Sequence, residues 1–149
     1  RIGIIFWQGA THRMQSSSFY MHYDPFEIFV ATGIRNFKAP LLSTYREYIK
    51  NDAKREALHH ILEALKSKGY SIPEPQYKRY PLGLDKDDTY AYLYLYGAMY
   101  AYTTFSPDEI FHSESIIERN FKIYEDMLDL HQWVYELTCA SQPEQKDLY

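Results

Sequence analysis

Three short apolar runs open the chain, each closed by turn-forming residues. Ile2-Gly3-Ile4-Ile5-Phe6-Trp7 stops at Gln8-Gly9-Ala10, and Phe19-Tyr20-Met21-His22-Tyr23 stops at Asp24-Pro25. Glu27-Ile28-Phe29-Val30-Ala31-Thr32-Gly33-Ile34 is the third. Runs of this length, dense in β-branched and aromatic residues, predict strands, because such side chains pack well on a pleated surface. Asp24-Pro25-Phe26 is short enough for a hairpin connection, so the second and third runs are expected to pair antiparallel in a meander.

The apolar period then lengthens to that of a helix. Pro40 stands where a first helical turn tolerates it, and Leu41, Tyr45, Tyr48 and Ile49 follow at helical spacing. Asp52 is the expected cap of a second helix, in which Leu58, Ile61, Leu62 and Leu65 fall at i, i+3, i+4 and i+7 before Gly69 ends it. Ser71 to Pro75 is a loop, since neither proline suits an element interior.

Between Tyr90 and Tyr102 the tyrosines at 90, 92, 94, 96, 100 and 102 all take even positions. One strand of that length would be unusual, and Asp87 or Asp88 is a good helix cap. The segment therefore predicts a short helix to about Leu95 and a strand from Ala98 to Phe105. Ser106-Pro107-Asp108-Glu109 predicts a helix start. Ser115-Ile116-Ile117-Glu118 predicts another, opening a long helix with Ile117, Phe121, Tyr124, Leu128 and Val134 along one side. From Ser141 the chain turns polar. The expected architecture is α+β, an antiparallel sheet of the N-terminal meander plus a later strand, covered by amphipathic helices. Residues 1–140 are expected to form one domain and 141–149 a polar tail.

Composition narrows the function classes. The net charge of −4 comes with 16 scattered basic residues among 149, which argues against nucleic acid and a charged membrane surface as partners. No apolar run approaches the roughly 20 residues that span a bilayer. The single cysteine, Cys139, is expected as a small, partly buried residue in the last turn of a helix. It fits a reducing compartment, and a cytoplasmic location is expected. The sequence enters a strand directly at Arg1 without a methionine, so an upstream portion is expected. Aromatic content is the outlier, at 17% with 16 tyrosines.

Two sets of residues carry candidate chemistry. His12, His22, Lys78 and Arg79 would make a pocket for a small anion if they converge, because guanidinium captures carboxylate or phosphate and histidine can donate or accept beside it. The competing reading pairs Arg79 with a local carboxylate such as Asp85 or Asp87 and makes His22 a satisfied sheet histidine. Tyr92, Tyr96, Tyr100 and Tyr102 are candidates for an interface, set against ordinary core and sheet positions. His12, His22 and Asp24 have no recognised metal spacing, Ser16-Ser17-Ser18 lacks a nucleophile context and reads as a flexible turn, and Asp85, Asp87 and Asp88 read as caps. No cofactor is expected. His59 and His60 flank the apolar stripe of the second helix and read as solvated or boundary positions.

Four stretches together resemble the DUF2461 family, a domain of unknown function. They are Phe19 to Pro25, Phe29 to Ile34 with the following Tyr45-Arg46-Glu47, Tyr77 to Asp85 around Pro81 and Gly83, and Phe105 to Glu109. The likeness runs from about Gly9 to Leu137 and corresponds to the C-terminal two-thirds of the family pattern. Thr32 stands where the family usually has glycine, and Asp88-Thr89 where it has His-Pro. The resemblance implies the fold and carries no activity. The leading expectation is a non-enzymatic binding or interaction module with a tyrosine-rich face, meeting a protein partner or a second copy. The alternative is a small-molecule site, or an enzyme acting on an anion through a His/Lys/Arg pocket.

Overall fold

A computed structural model of the chain describes residues 1–9 and 12–141. Strands β1 (Ile2–Trp7), β2 (Ser18–Tyr23), β3 (Ile28–Ile34) and β4 (Met99–Phe105) form one antiparallel sheet in that order. Helices α1 (Ala39–Tyr48), α2 (Asp52–Ser67), α3 (Ser115–Asp126) and α4 (Leu128–Ser141) complete an α+β fold. The β2–β3 turn is set by Asp24, whose Oδ1 accepts the backbone N–H groups of Phe26 and Glu27, each at 2.8 Å. This is the Asx turn that the Asp-Pro signal favours.

Period-two alternation sorts the sheet into two faces. Ile28, Val30 and Ile34 of β3 and Met99 and Ala101 of β4 point to the helices and are almost completely buried. They meet Leu41 and Tyr45 of α1 and Ile49 just past its end, Leu58, Leu62 and Leu65 of α2, and Leu130, Val134 and Leu137 of α4. The buried Tyr45 hydroxyl donates to the Leu93 carbonyl at 2.6 Å, which ties α1 to a 3-10 helix at Ala91–Leu95. The predicted short helix and later strand around Tyr90–Tyr102 therefore both form.

The structure corrects several local expectations. Asn51, not Asp52, caps α2, its Oδ1 accepting the Lys54 N–H at 3.0 Å. No helix starts at Ser106: the Asp108 carboxylate accepts the Phe111 N–H at 2.9 Å, and the chain makes only a turn. Its other oxygen takes Arg119 of α3 at 2.9 Å. The two start signals lie too close for both to nucleate a helix. α3 begins at Ser115 after Glu114, with no side-chain cap, and the expected long helix breaks at Met127.

The stripe on that helix is also displaced. Ile117 is 71% exposed, Phe121 68% and Leu128 47%, while Val134 is buried as expected and is joined in the core by Ile123, Met127 and Leu130. Cys139 stands in the last turns of α4 as expected, but is exposed rather than partly buried. Ser16, Ser17 and Ser18 are buried and not a flexible turn. The tail expected from residue 141 lies, past Ser141, outside the described residues, as does Ala10 of the first turn.

Candidate functional site

The second face of the sheet carries no helix-facing core residues, and strand register gives its layout. Across the four strands, Gly3, His22, Phe29 and Thr104 stand side by side. Then come Ile5, Tyr20, Ala31 and Tyr102, followed by Trp7, Ser18, Gly33 and Tyr100. Large rings thus surround a floor of Ser18, Ala31 and Gly33. Gly33 has a φ of +127°, and a Cβ there would collide with the Met99 carbonyl oxygen, so the floor cannot rise at that point.

The rings touch one another. His22 stacks on Phe29 at 4.9 Å, Phe29 on Tyr102 at 5.4 Å, and Tyr20 meets His22 edge-on at 5.4 Å. His22 Nδ1 and the Tyr20 hydroxyl are hydrogen-bonded at 3.0 Å, which fixes both rings. Burial and the Arg1 guanidinium hold His22 below the ordinary histidine value, against the opposing pull of Asp24 and Glu27. Its ring is therefore neutral near pH 7.

Above this floor lies a depression of about 550 Å³, within the range of small-molecule sites. Tyr20, His22, Phe29 and Tyr100 line it, and so do Arg1, Arg13 and Arg35, while no aspartate or glutamate among the described residues does. Arg1 precedes β1 beside the His22 end. Arg35 follows β3 at the opposite end, next to the 3-10 turn Arg13–Gln15. Gln15 holds these two segments together. Its Nε2 donates to the Asn36 carbonyl at 2.8 Å and its Oε1 accepts the Lys38 N–H at 2.9 Å. None of the three arginines forms an ion pair among the described residues.

Of the four residues proposed from sequence, His22 lines the depression and the other three do not. His12 caps the 3-10 turn, its Nδ1 accepting the Met14 N–H at 3.2 Å. Lys78 and Arg79 sit exposed in the loop that pairs with residues 95–97 through the Tyr77 N–H and Gln76. Arg79 forms no ion pair with Asp85 or Asp87 among the described residues, and the neighbouring Asp88 pairs with Arg55 at 3.2 Å. The tyrosines divide. Tyr100 and Tyr102 stand on the open face, Tyr96 is buried with its hydroxyl donating to Pro73, and Tyr92 bonds His59 at 2.7 Å.

Arg35, Tyr20 and Phe29 were within reach of the sequence pattern, because alternation along β2 and β3 places them on one face. The approach of Arg13 was not, since a loop residue's place follows from tertiary ties such as Gln15. A buried group was missed as well: Ser17 Oγ and His131 Nδ1 lie 2.8 Å apart, and His131 Nε2 meets Gln8 Oε1 at 2.9 Å. Ser17 is fully buried, which gives this pair a structural role. Among the described residues no three His, Cys, Asp or Glu side chains are grouped to hold a metal ion. Nor is any helix of the described residues long and apolar enough to cross a membrane.

The family profile of the conserved hypothetical proteins DUF2461 matches residues 1–133, and the chain belongs to that family. The match opens at Arg1 rather than near Gly9, so β1 is part of the family pattern. No curated protein and no solved structure matches the chain.

Proposed function

We propose that the chain is a binding module whose open sheet face holds a small organic anion. One observation carries this reading: three arginines and a histidine line a single aromatic depression that no carboxylate of the described residues lines. Guanidinium groups with no ion-pair partner among the described residues hold an oxyanion through charged hydrogen bonds, each worth about 1.5–3 kcal/mol. His22 supplies a neutral donor or acceptor at the far end, and the rings exclude water from the apolar part of the ligand.

Isothermal titration with a panel of small carboxylates and phosphate esters tests it. Arg13→Gln/Arg35→Gln is expected to weaken the best ligand by at least about 1.5 kcal/mol, roughly tenfold in Kd. Unchanged affinity in the double variant would remove the reading.

A protein contact is favoured by a separate observation on the opposite face. Ile2, Ile4 and Phe6 of β1 and Ile117 and Phe121 of α3 are exposed large apolar side chains. Exposed patches of this kind mark interaction surfaces. Sedimentation velocity over a concentration series reads self-association there, and arginine substitutions on the other face leave it unaltered.

A further inference from the structure

The arrangement of rings and cations in the depression specifies more than a negative charge. We infer that it takes a flat aromatic ring joined through a short spacer to an oxyanion, the shape of a nucleoside monophosphate. The ring would lie over Ala31 among Tyr20, Phe29 and Tyr100, and the oxyanion would sit at Arg13 and Arg35. The inference rests on the anion-binding reading above and adds the chemistry of the rest of the ligand.

Three observations support it. First, the floor is flat and shallow where the ring would lie, because Ala31 stands between Tyr20 and Tyr102, with Ser18 and Gly33 in the next row. Large side chains there would fill the space, whereas small ones bounded by π-systems leave a slot that planar groups fill well.

Second, the arginines are unevenly placed. Arg13 and Arg35 stand together past the end of β3, and Arg1 stands apart, beside His22 at the other end. A bare phosphate at Arg13 and Arg35 would leave the rings unoccupied, whereas a ring-bearing anion reaches both.

Third, the ring end keeps a polar handle. His22 Nδ1 is engaged by the Tyr20 hydroxyl, and its Nε2 has no partner among the described residues. It is free for the polar edge of a heterocycle.

Titration of adenosine 5′-monophosphate, adenosine and ribose 5-phosphate into the full chain separates the parts. The monophosphate is expected to bind at least tenfold tighter than either fragment. Phe29→Leu, which removes the ring held between His22 and Tyr102 and so loosens the aromatic wall, should weaken the monophosphate and adenosine severalfold and leave ribose 5-phosphate unchanged. Arg35→Gln should weaken the monophosphate and ribose 5-phosphate and leave adenosine unchanged. Tyr100→Leu provides a second ring variant, and near-ultraviolet circular dichroism confirms that each variant is folded.

If ribose 5-phosphate binds as tightly as the monophosphate and both ring variants are silent, the ring inference falls and the anion reading stands. If no probe binds, the ring inference falls and the carboxylate and phosphate-ester panel decides the anion reading; if the monophosphate binds equally to wild type and Arg13→Gln/Arg35→Gln, both fall.

Discussion

Thr32 shows how a single hydroxyl is tolerated at a cost. It sits on the helix-facing side of β3, 1% exposed, and its Oγ1 has no hydrogen-bond partner among the described residues. Burying an unpaired hydroxyl costs about 1–3 kcal/mol by mutational measure. Valine keeps the β-branched shape and the strand preference and removes the polar atom. Thr32→Val is therefore expected to raise the free energy of unfolding by about 1–2 kcal/mol, read from urea denaturation midpoints at constant slope. A loss of stability would mean that the hydroxyl has a partner after all. Arg55 differs in degree, since its buried Nε also has no partner among the described residues while the rest of the group is well paired. Its buried guanidinium donates to the Ile49 carbonyl at 2.8 Å and pairs with Asp52 at 2.7 Å and Asp88 at 3.2 Å. Its charge thus meets two carboxylates and fastens α2 to the loop ahead of the 3-10 helix.

At the scale of elements, α3 separates what a hydrophobic stripe says from what burial does. Its apolar positions follow two overlapping helical stripes, and the sequence offers no means of choosing which faces the sheet. The choice is made by particular contacts. The Tyr124 hydroxyl donates to the Tyr20 carbonyl at 3.0 Å, and Tyr124 meets Phe19 edge-on at 5.0 Å. Asp126 accepts from Tyr70 at 2.6 Å. These ties turn Ile123 and Met127 inward and leave Ile117 and Phe121 in solvent. Phe121→Lys is accordingly expected to change unfolding free energy by less than about 0.5 kcal/mol, the range for exposed substitutions. A loss of 2 kcal/mol or more would place Phe121 in the core instead. The strands were legible because each is a short run bounded by Asp-Pro or glycine, and the β2–β3 pairing needed only its turn. Caps were less legible, since Asn51 next to Asp52, and Ser106 close to Ser115, offer equivalent local chemistry that tertiary contacts decide. The candidate site was legible in part, through His22 and the alternation that puts Phe29, Ala31, Gly33 and Arg35 together. Arg13 and its clamp through Gln15 depend on segments more than twenty residues apart meeting in space.

For the whole molecule, the titratable groups predict a two-step loss of stability in acid. Among the described residues His131 bonds the neutral Ser17 and Gln8 alone and stacks on Phe19 at 4.4 Å, and burial holds it below the ordinary histidine value of 6.5. His22 is held down by burial and Arg1. Between their folded values and 6.5 the unfolded chain binds more protons than the folded one, so stability falls as pH drops through about 6.5. The decline ends once pH is below the folded values, where both states are protonated. Asp24 is held below the ordinary 3.8 by the Phe26 N–H, Asp108 by Arg119 and Asp126 by Lys122. Their contribution is fully present above 3.8 and disappears as pH falls through their lower folded values, which makes a second, separate step. Urea unfolding at intervals from pH 8 to pH 3 should show both. In Ser17→Ala/His131→Leu, which replaces the bonded pair by apolar groups, the decline below pH 6.5 should shrink while the step below pH 4 is unchanged. Each pH unit by which His131 lies below 6.5 contributes about 1.4 kcal/mol to the first step. A wild-type profile that stays level from pH 8 to pH 5 would show that His131 protonates as readily inside the fold as outside it. The Ser17 hydroxyl could then no longer be donating to a neutral ring.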